Sequence, residues 1–142
     1  WAELARRARG LERQLRDDLG ARAVLDPALR SAVRGARSRG SSVDVVDDRR
    51  HPDEEGLVAL ARPALTAALG ACRGAALTAR LDPSGQLVSV AVDGSPTEVA
   101  EVAAALAGGV PDDLELTVDL EPGSLWAELT CRAGAPAGEP AR

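Results

Sequence analysis

GLVALARPALTAALGACRGAALTARLDPSGQLVSVAVDG, residues 56–94, is the stretch on which the fold turns. Leu57, Val58, Ala61, Leu65, Ala68, Leu69 and Cys72 recur at three- and four-residue spacing, which gathers them on one face of a helix. Gly74 stands where a C-cap belongs. Leu77, Ala79 and Leu81 then alternate with polar residues, Asp82-Pro83-Ser84-Gly85 makes a turn, and Val88, Val90 and Val92 alternate again before Asp93-Gly94. The expectation is a helix laid on a hairpin. Pro63 falls inside the helix and predicts a kink or a broken start, because it removes a hydrogen bond and crowds the preceding turn.

The same patterns extend outward in both directions. Upstream, Asp26-Pro27 is an N-cap followed by proline at the first helical position, and Leu29, Ala32, Val33 and Ala36 supply a buried face up to Gly40. Val43 and Val45 alternate with Ser42 and Asp44 as a short strand leading into a polar turn at 47–52. Downstream, Ser95-Pro96-Thr97-Glu98 has capping-box spacing, and Val99, Val102, Ala103 and Leu106 form a helix face closed by Gly108-Gly109. Leu114, Leu116, Val118 and Leu120 alternate with Glu115, Thr117, Asp119 and Glu121. After Pro122-Gly123, Leu125, Ala127, Leu129 and Cys131 alternate with Trp126, Glu128 and Thr130, so the two strands make a hairpin with one apolar and one polar face. Trp126 stands on the polar side, as a surface contact or a local lid.

At the N-terminus, Trp1, Leu4, Ala8, Leu11 and Leu15 follow a heptad, with Asp18 at the next core position and Gly20 as a closing cap. This is either the end of a dimerisation helix or an amphipathic helix packing on its own domain. Residues 1–20 are therefore read as that helix, 21–132 as one domain, and 133–142 (AGAPAGEPAR) as a disordered tail by composition. The fold class expected is an α/β two-layer sandwich. Its sheet is mixed and mostly antiparallel, of about five strands, covered on one face by about three helices, with the N-terminal helix added.

The order of elements, ALTAALGACRGAALTARLDPSGQLVSVAVDG followed by AALAGGVPDDLELTVDLEPGSLWAELTCR, resembles the ATP-binding domain of sensor histidine kinases, the family shared with Hsp90, gyrase B and MutL. LDPALRSAVRGARSRGSSVDVV is similar to the helix and strand that open that domain. The resemblance covers roughly residues 26–132. It implies a bacterial two-component signalling protein, ATP with magnesium as the ligand, and dimerisation through the N-terminal helix. The motif residues do not follow. In E-x-x-x-N-x-x-[KR]-H, the Glu position is Pro63, the Asn position Ala67, and the last two are Gly70 and Ala71. None of these side chains offers the oxygen that a hard cation wants. In D-x-G-x-G, aligning on Gly94 places Val92 at the Asp position and Pro96 at the second Gly. Asp93 is then one residue out of register, on the other face of the strand. Asp93 and Gly94 are the remnant of a nucleotide-binding motif. The Gly-rich lid expected next is replaced by Ser95-Pro96-Thr97-Glu98.

The resemblance and its departures together point to a non-catalytic signalling or interaction module that has lost its nucleotide motifs. The expectation is no cofactor, no metal and no catalytic residue, with a protein partner or a second copy meeting the N-terminal helix. The alternative is a divergent histidine kinase that binds ATP and phosphorylates a histidine upstream of Trp1. A third reading keeps nucleotide binding without transfer, through Asp93, Gly94 and Ser95.

Composition narrows the rest. The 142 residues, 45% of them apolar, suffice for one core, but with no Phe, Tyr or Met that core must come from Leu, Val and Ala, and modest stability is expected. All 17 basic residues are Arg, which fits a GC-rich coding bias. Residues 1–40 hold ten Arg against five acids, and 41–142 seven against seventeen. The acidic body argues against nucleic acid, and the basic start faces solvent, an acidic partner or a membrane surface. No run approaches a spanning helix and no signal peptide is visible, so a cytoplasmic piece of a longer protein is expected, with any membrane anchor lying outside it. Cys72 and Cys131 have no metal or redox spacing and are read as buried small hydrophobes. His51 precedes Pro52 and is read as a surface-loop residue. Asp53, Glu54 and Glu55 are expected to cap a helix start.

Overall fold

The computed structural model describes residues 1–20 and 22–133. Along them run α1 (Ala2–Gly20), α2 (Pro27–Ser38), β1 (Ser42–Asp47), α3 (Gly56–Gly70), β2 (Ala76–Leu81), β3 (Leu87–Asp93), α4 (Pro96–Gly108), β4 (Leu114–Glu121) and β5 (Ser124–Cys131). The strands form one sheet in the order β1-β2-β3-β5-β4. β1 and β2 are parallel, joined by a crossover through α3, and the other three pairs are antiparallel. The fold is an α/β two-layer sandwich with α2, α3 and α4 on one face of the sheet.

Alternation decides which side chains meet the helices. Val88, Val90 and Val92 of β3, Leu77, Ala79 and Leu81 of β2, and Leu125, Ala127 and Leu129 of β5 all turn inward and are buried. Opposite them, α3 buries Leu57, Val58, Ala61, Ala64, Leu65, Ala68 and Leu69, and it packs between α2 and α4. Small residues let the backbones close in. A Cβ on Gly109, just past α4, would lie 2.7 Å from the Ala64 Cα, so the end of α4 rests directly on the backbone of α3.

Several local expectations hold in detail. Asp26 caps α2, its Oδ1 accepting from the Leu29 N–H at 2.8 Å, and Ser95 caps α4 through the Glu98 N–H at 3.2 Å. Others are corrected. α3 runs unbroken through Pro63, which lies on the exposed face; the carbonyl it leaves unpaired belongs to exposed Ala59, within reach of water. The helix ends at Gly70 with Ala71 as its cap, and Gly74, at φ +122°, turns the chain into β2 instead. Glu55 makes no side-chain cap, because Arg62 draws its carboxylate away. Val118 and Leu120 lie on the inward face of β4 by alternation, yet this edge strand leaves both exposed. Cys131 is half-buried rather than buried. The tail expected at 133–142 lies, beyond Ala133, outside the described residues.

Candidate functional site

Asp93 and Gly94 lie near the C-terminal end of α3. Val92 is buried in the core, while Asp93, one residue on, is exposed on the open face of the sheet. Gly94 donates to the Gly123 carbonyl at 3.1 Å, and a Cβ there would come within 2.9 Å of the Ala75 Cβ. The junction from β3 to α4 is thus pressed against the turn before β2.

That turn is held by side chains from elsewhere. The Glu98 carboxylate accepts from the Arg73 N–H at 2.7 Å and the Ala75 N–H at 2.8 Å, and the Ser41 hydroxyl takes the Gly74 N–H at 2.8 Å. Three successive amides are therefore occupied. Arg39 donates to the Cys72 and Leu69 carbonyls, both at 2.9 Å, placing a cation where the dipole of α3 favours one. Cys72 is buried with its Sγ 3.4 Å from the Ala68 carbonyl. Burial first, and then the Glu98 charge, push its thiol up to about 11, against the pull of Arg39. It is an inert thiol.

The space between α3 and the sheet is filled by the Leu, Val and Ala side chains of the core. Of the aligned motif positions, Pro63 and Gly70 are exposed, and Ala67 and Ala71 half-buried. Pro63, Thr66 and Ala67 border an open groove of 500 Å³ between the start of α2 and α3, with Asp26 and Arg62 as its charged members. Arg62 is already committed there. It donates to Glu55 at 2.6 and 2.8 Å, to the Val24 carbonyl at 3.0 Å and to the Ala23 carbonyl at 2.9 Å. These bonds hold the Glu55 carboxyl below its ordinary range and raise the guanidinium, with burial opposing both.

At the N-terminal end of α3 lies a cavity of 410 Å³, bordered by Arg49, His51, Glu54, Ser84, Gln86 and Cys131 among others. Arg49, on its border, belongs to a buried ion pair. Arg49 donates to both oxygens of Asp47, at 2.8 and 2.9 Å, and to the Glu54 carbonyl at 2.7 Å, with the two side chains only 3% and 4% exposed. Asp82 bonds the turn whose Ser84, Gly85 and Gln86 border the cavity. Burial works to raise its carboxyl, but bonds from Ser84 and from the Leu87, Gln86 and Gly85 amides bring it below the ordinary value. Asp47 neutralises Arg49, and an imidazole, two glutamates and a thiol also border the recess. Sequence reading passed over Arg49: in Asp47-Asp48-Arg49-Arg50 it resembles exposed Asp48 and Arg50, and only the three-dimensional fold singles it out. His51 is exposed in its loop, as expected. Among the described residues, no group of three or more His, Cys, Asp or Glu is placed to hold a metal ion.

α1 touches the body at β1 and leaves its apolar stripe outside, with Trp1, Leu4, Leu11 and Leu15 each more than half exposed. No helix among the described residues is long and apolar enough to cross a membrane.

No family model matches the sequence, and no curated protein matches it. Among solved structures, the chain is similar to the catalytic domain of the histidine kinase ThkA in a nucleotide-free form, at 9% identity and a TM-score of 0.46, over 75% of this chain and 91% of that one. It is similar to the cytoplasmic segment of the histidine kinase QseC, at 18% identity and a TM-score of 0.40, over 74% and 72%. It is also similar to the kinase domain of a blue-light-activated histidine kinase from Erythrobacter litoralis, at 16% identity and a TM-score of 0.35, over 75% and 65%.

Proposed function

We propose that this chain is a non-catalytic interaction module of a bacterial two-component signalling protein, a histidine kinase-like ATPase domain that no longer handles nucleotide. One observation carries the reading. The turn amides beside the remnant Asp93-Gly94 are occupied by Glu98, which reaches them from the helix standing where a phosphate-binding lid would be. The side chains at the motif positions, Pro63, Ala67 and Val92, agree with this: none coordinates magnesium or accepts a hydrogen bond from adenine. Asp93 and Gly94 are then structural residues of the β3–α4 junction, and neither ATP nor magnesium is a cofactor. The domain acts through α1, whose exposed Leu4, Leu11 and Leu15 stripe takes a protein partner or a second copy on the cytoplasmic side of the membrane.

Thermal unfolding with and without millimolar Mg-ATP tests the first half. A ligand at about 100 times its Kd adds ~2.7 kcal/mol, which raises the Tm of a domain this size by about 5–10 °C. No shift and no calorimetric heat are expected. A shift of that order that disappears in Asp93→Ala would overturn the reading in favour of a nucleotide-binding kinase.

A further inference from the structure

The open face of the sheet carries one exposed large apolar side chain, set among carboxylates. Trp126, in β5, is 48% exposed. Its cross-strand neighbours are Ala91 on β3 and Asp119 on β4. One step further along the same face, the pairs of Ser124 are Asp93 and Glu121. Glu128, two residues on, accepts the indole N–H at 3.0 Å and fixes the ring's orientation. In a sheet the direct neighbours stand about 5 Å away and the diagonal ones about 7–8 Å, so four carboxylates surround one indole.

No cation balances them within the strands. Among the paired positions of this face, Arg80 is the one basic residue; it lies two strands from Glu128, and its guanidinium is 3.7 Å from Asp48. Asp44 and Glu115 add further negative charge nearer the edges. An indole is the strongest π partner for a cation, and a guanidinium both stacks on an aromatic face and pairs with carboxylates through parallel N–H groups. An extended chain repeats its side chains on one face every ~6.7 Å, which is also the spacing from Asp119 to Glu121 along β4.

We infer that the β3-β5-β4 face is a docking surface for an extended, arginine-bearing segment of a partner protein, with arginines at alternate positions. One guanidinium stacks on Trp126 beside Asp119, and the next pairs with Glu121 and Asp93. The surface is separate from α1, whose contact with the sheet is at β1, the opposite edge.

The test uses the whole chain carrying Trp1→Phe, which leaves Trp126 as the sole fluorophore. The probe is an acetylated, amidated peptide of alternating arginine and alanine; its glutamine counterpart and spermine are the controls. At about 50 mM salt, where exposed charges are weakly screened, the arginine peptide should change Trp126 emission saturably and the glutamine peptide should not. Asp119→Asn with Glu121→Gln should weaken binding about tenfold or more, and Trp126→Thr, followed by calorimetry, should do the same. These positions are solvent-facing and threonine suits a strand, so thermal unfolding should confirm that both variants fold. No saturable response at millimolar peptide, or unchanged affinity in the two variants, would overturn the assignment. Spermine binding as tightly as the peptide would overturn it too, in favour of a small-polycation site.

Discussion

At the C-terminal end of α3, three side chains from two separate stretches of chain take up the free backbone groups, whereas at its N-terminal end the helix starts without a side-chain cap beside a 410 Å³ cavity. One end is sealed by bonds to backbone. The other is supported by a buried ion pair and left open above it. The contrast teaches where stability and access have been separated: the end beside Asp93 and Gly94 has its backbone groups taken up by side chains, and the accessible recess lies at the other end.

The sharpest way to break this comparison is at the open end. Arg49→Met removes one partner of a buried pair and strands the Asp47 carboxylate, which should cost about 3–5 kcal/mol in urea unfolding. At the sealed end, Glu98→Ala leaves two amides without their acceptor, one of them on buried Ala75, and should cost about 2 kcal/mol. If Glu98→Ala proves the more damaging, the sealed end is the principal clamp and the contrast runs the other way.

A smaller effect sharpens the account of the cavity wall. Asp82→Asn weakens the β2–β3 turn by about 1 kcal/mol at neutral pH. Because the folded state lowers the Asp82 carboxyl, its contribution is present above the unfolded value of about 4 and lost as pH falls through the folded one. The gap between wild type and variant in a pH series should therefore narrow below about pH 4; a constant gap would mean the carboxylate charge is irrelevant. Last, alkylation of the native protein should distinguish the ends with no change in stability: half-buried Cys131 reacts first, and Cys72, with its raised thiol, waits for unfolding.

Much of the fold was legible because it rests on local rules. Period-two alternation found all five strands, and Asp26-Pro27 and Ser95-Pro96 marked two helix starts by capping chemistry that spans three residues. Strand order was not legible: β3 and β5 carry similar alternation, and nothing local says that β5 slots between β3 and β4. The site was harder still. Glu98 reads as one arm of a capping box, but its carboxylate reaches back 23 and 25 residues, a contact that only the docking of α4 creates. Pro63 misled because its cost depends on which face of α3 it occupies, and the exposed face tolerates it.

β3 is hydrogen-bonded on both sides and buries Val88, Val90 and Val92 almost completely, while β1 is an edge strand bonded to β2 alone. The amides of β3, like those of β5, should thus be among the last to exchange with solvent, and those of β1 should exchange through local openings of lower free energy. α1 touches the body at that edge strand. A displacement arriving along α1 would therefore meet an edge of the sheet, not its hydrophobic centre.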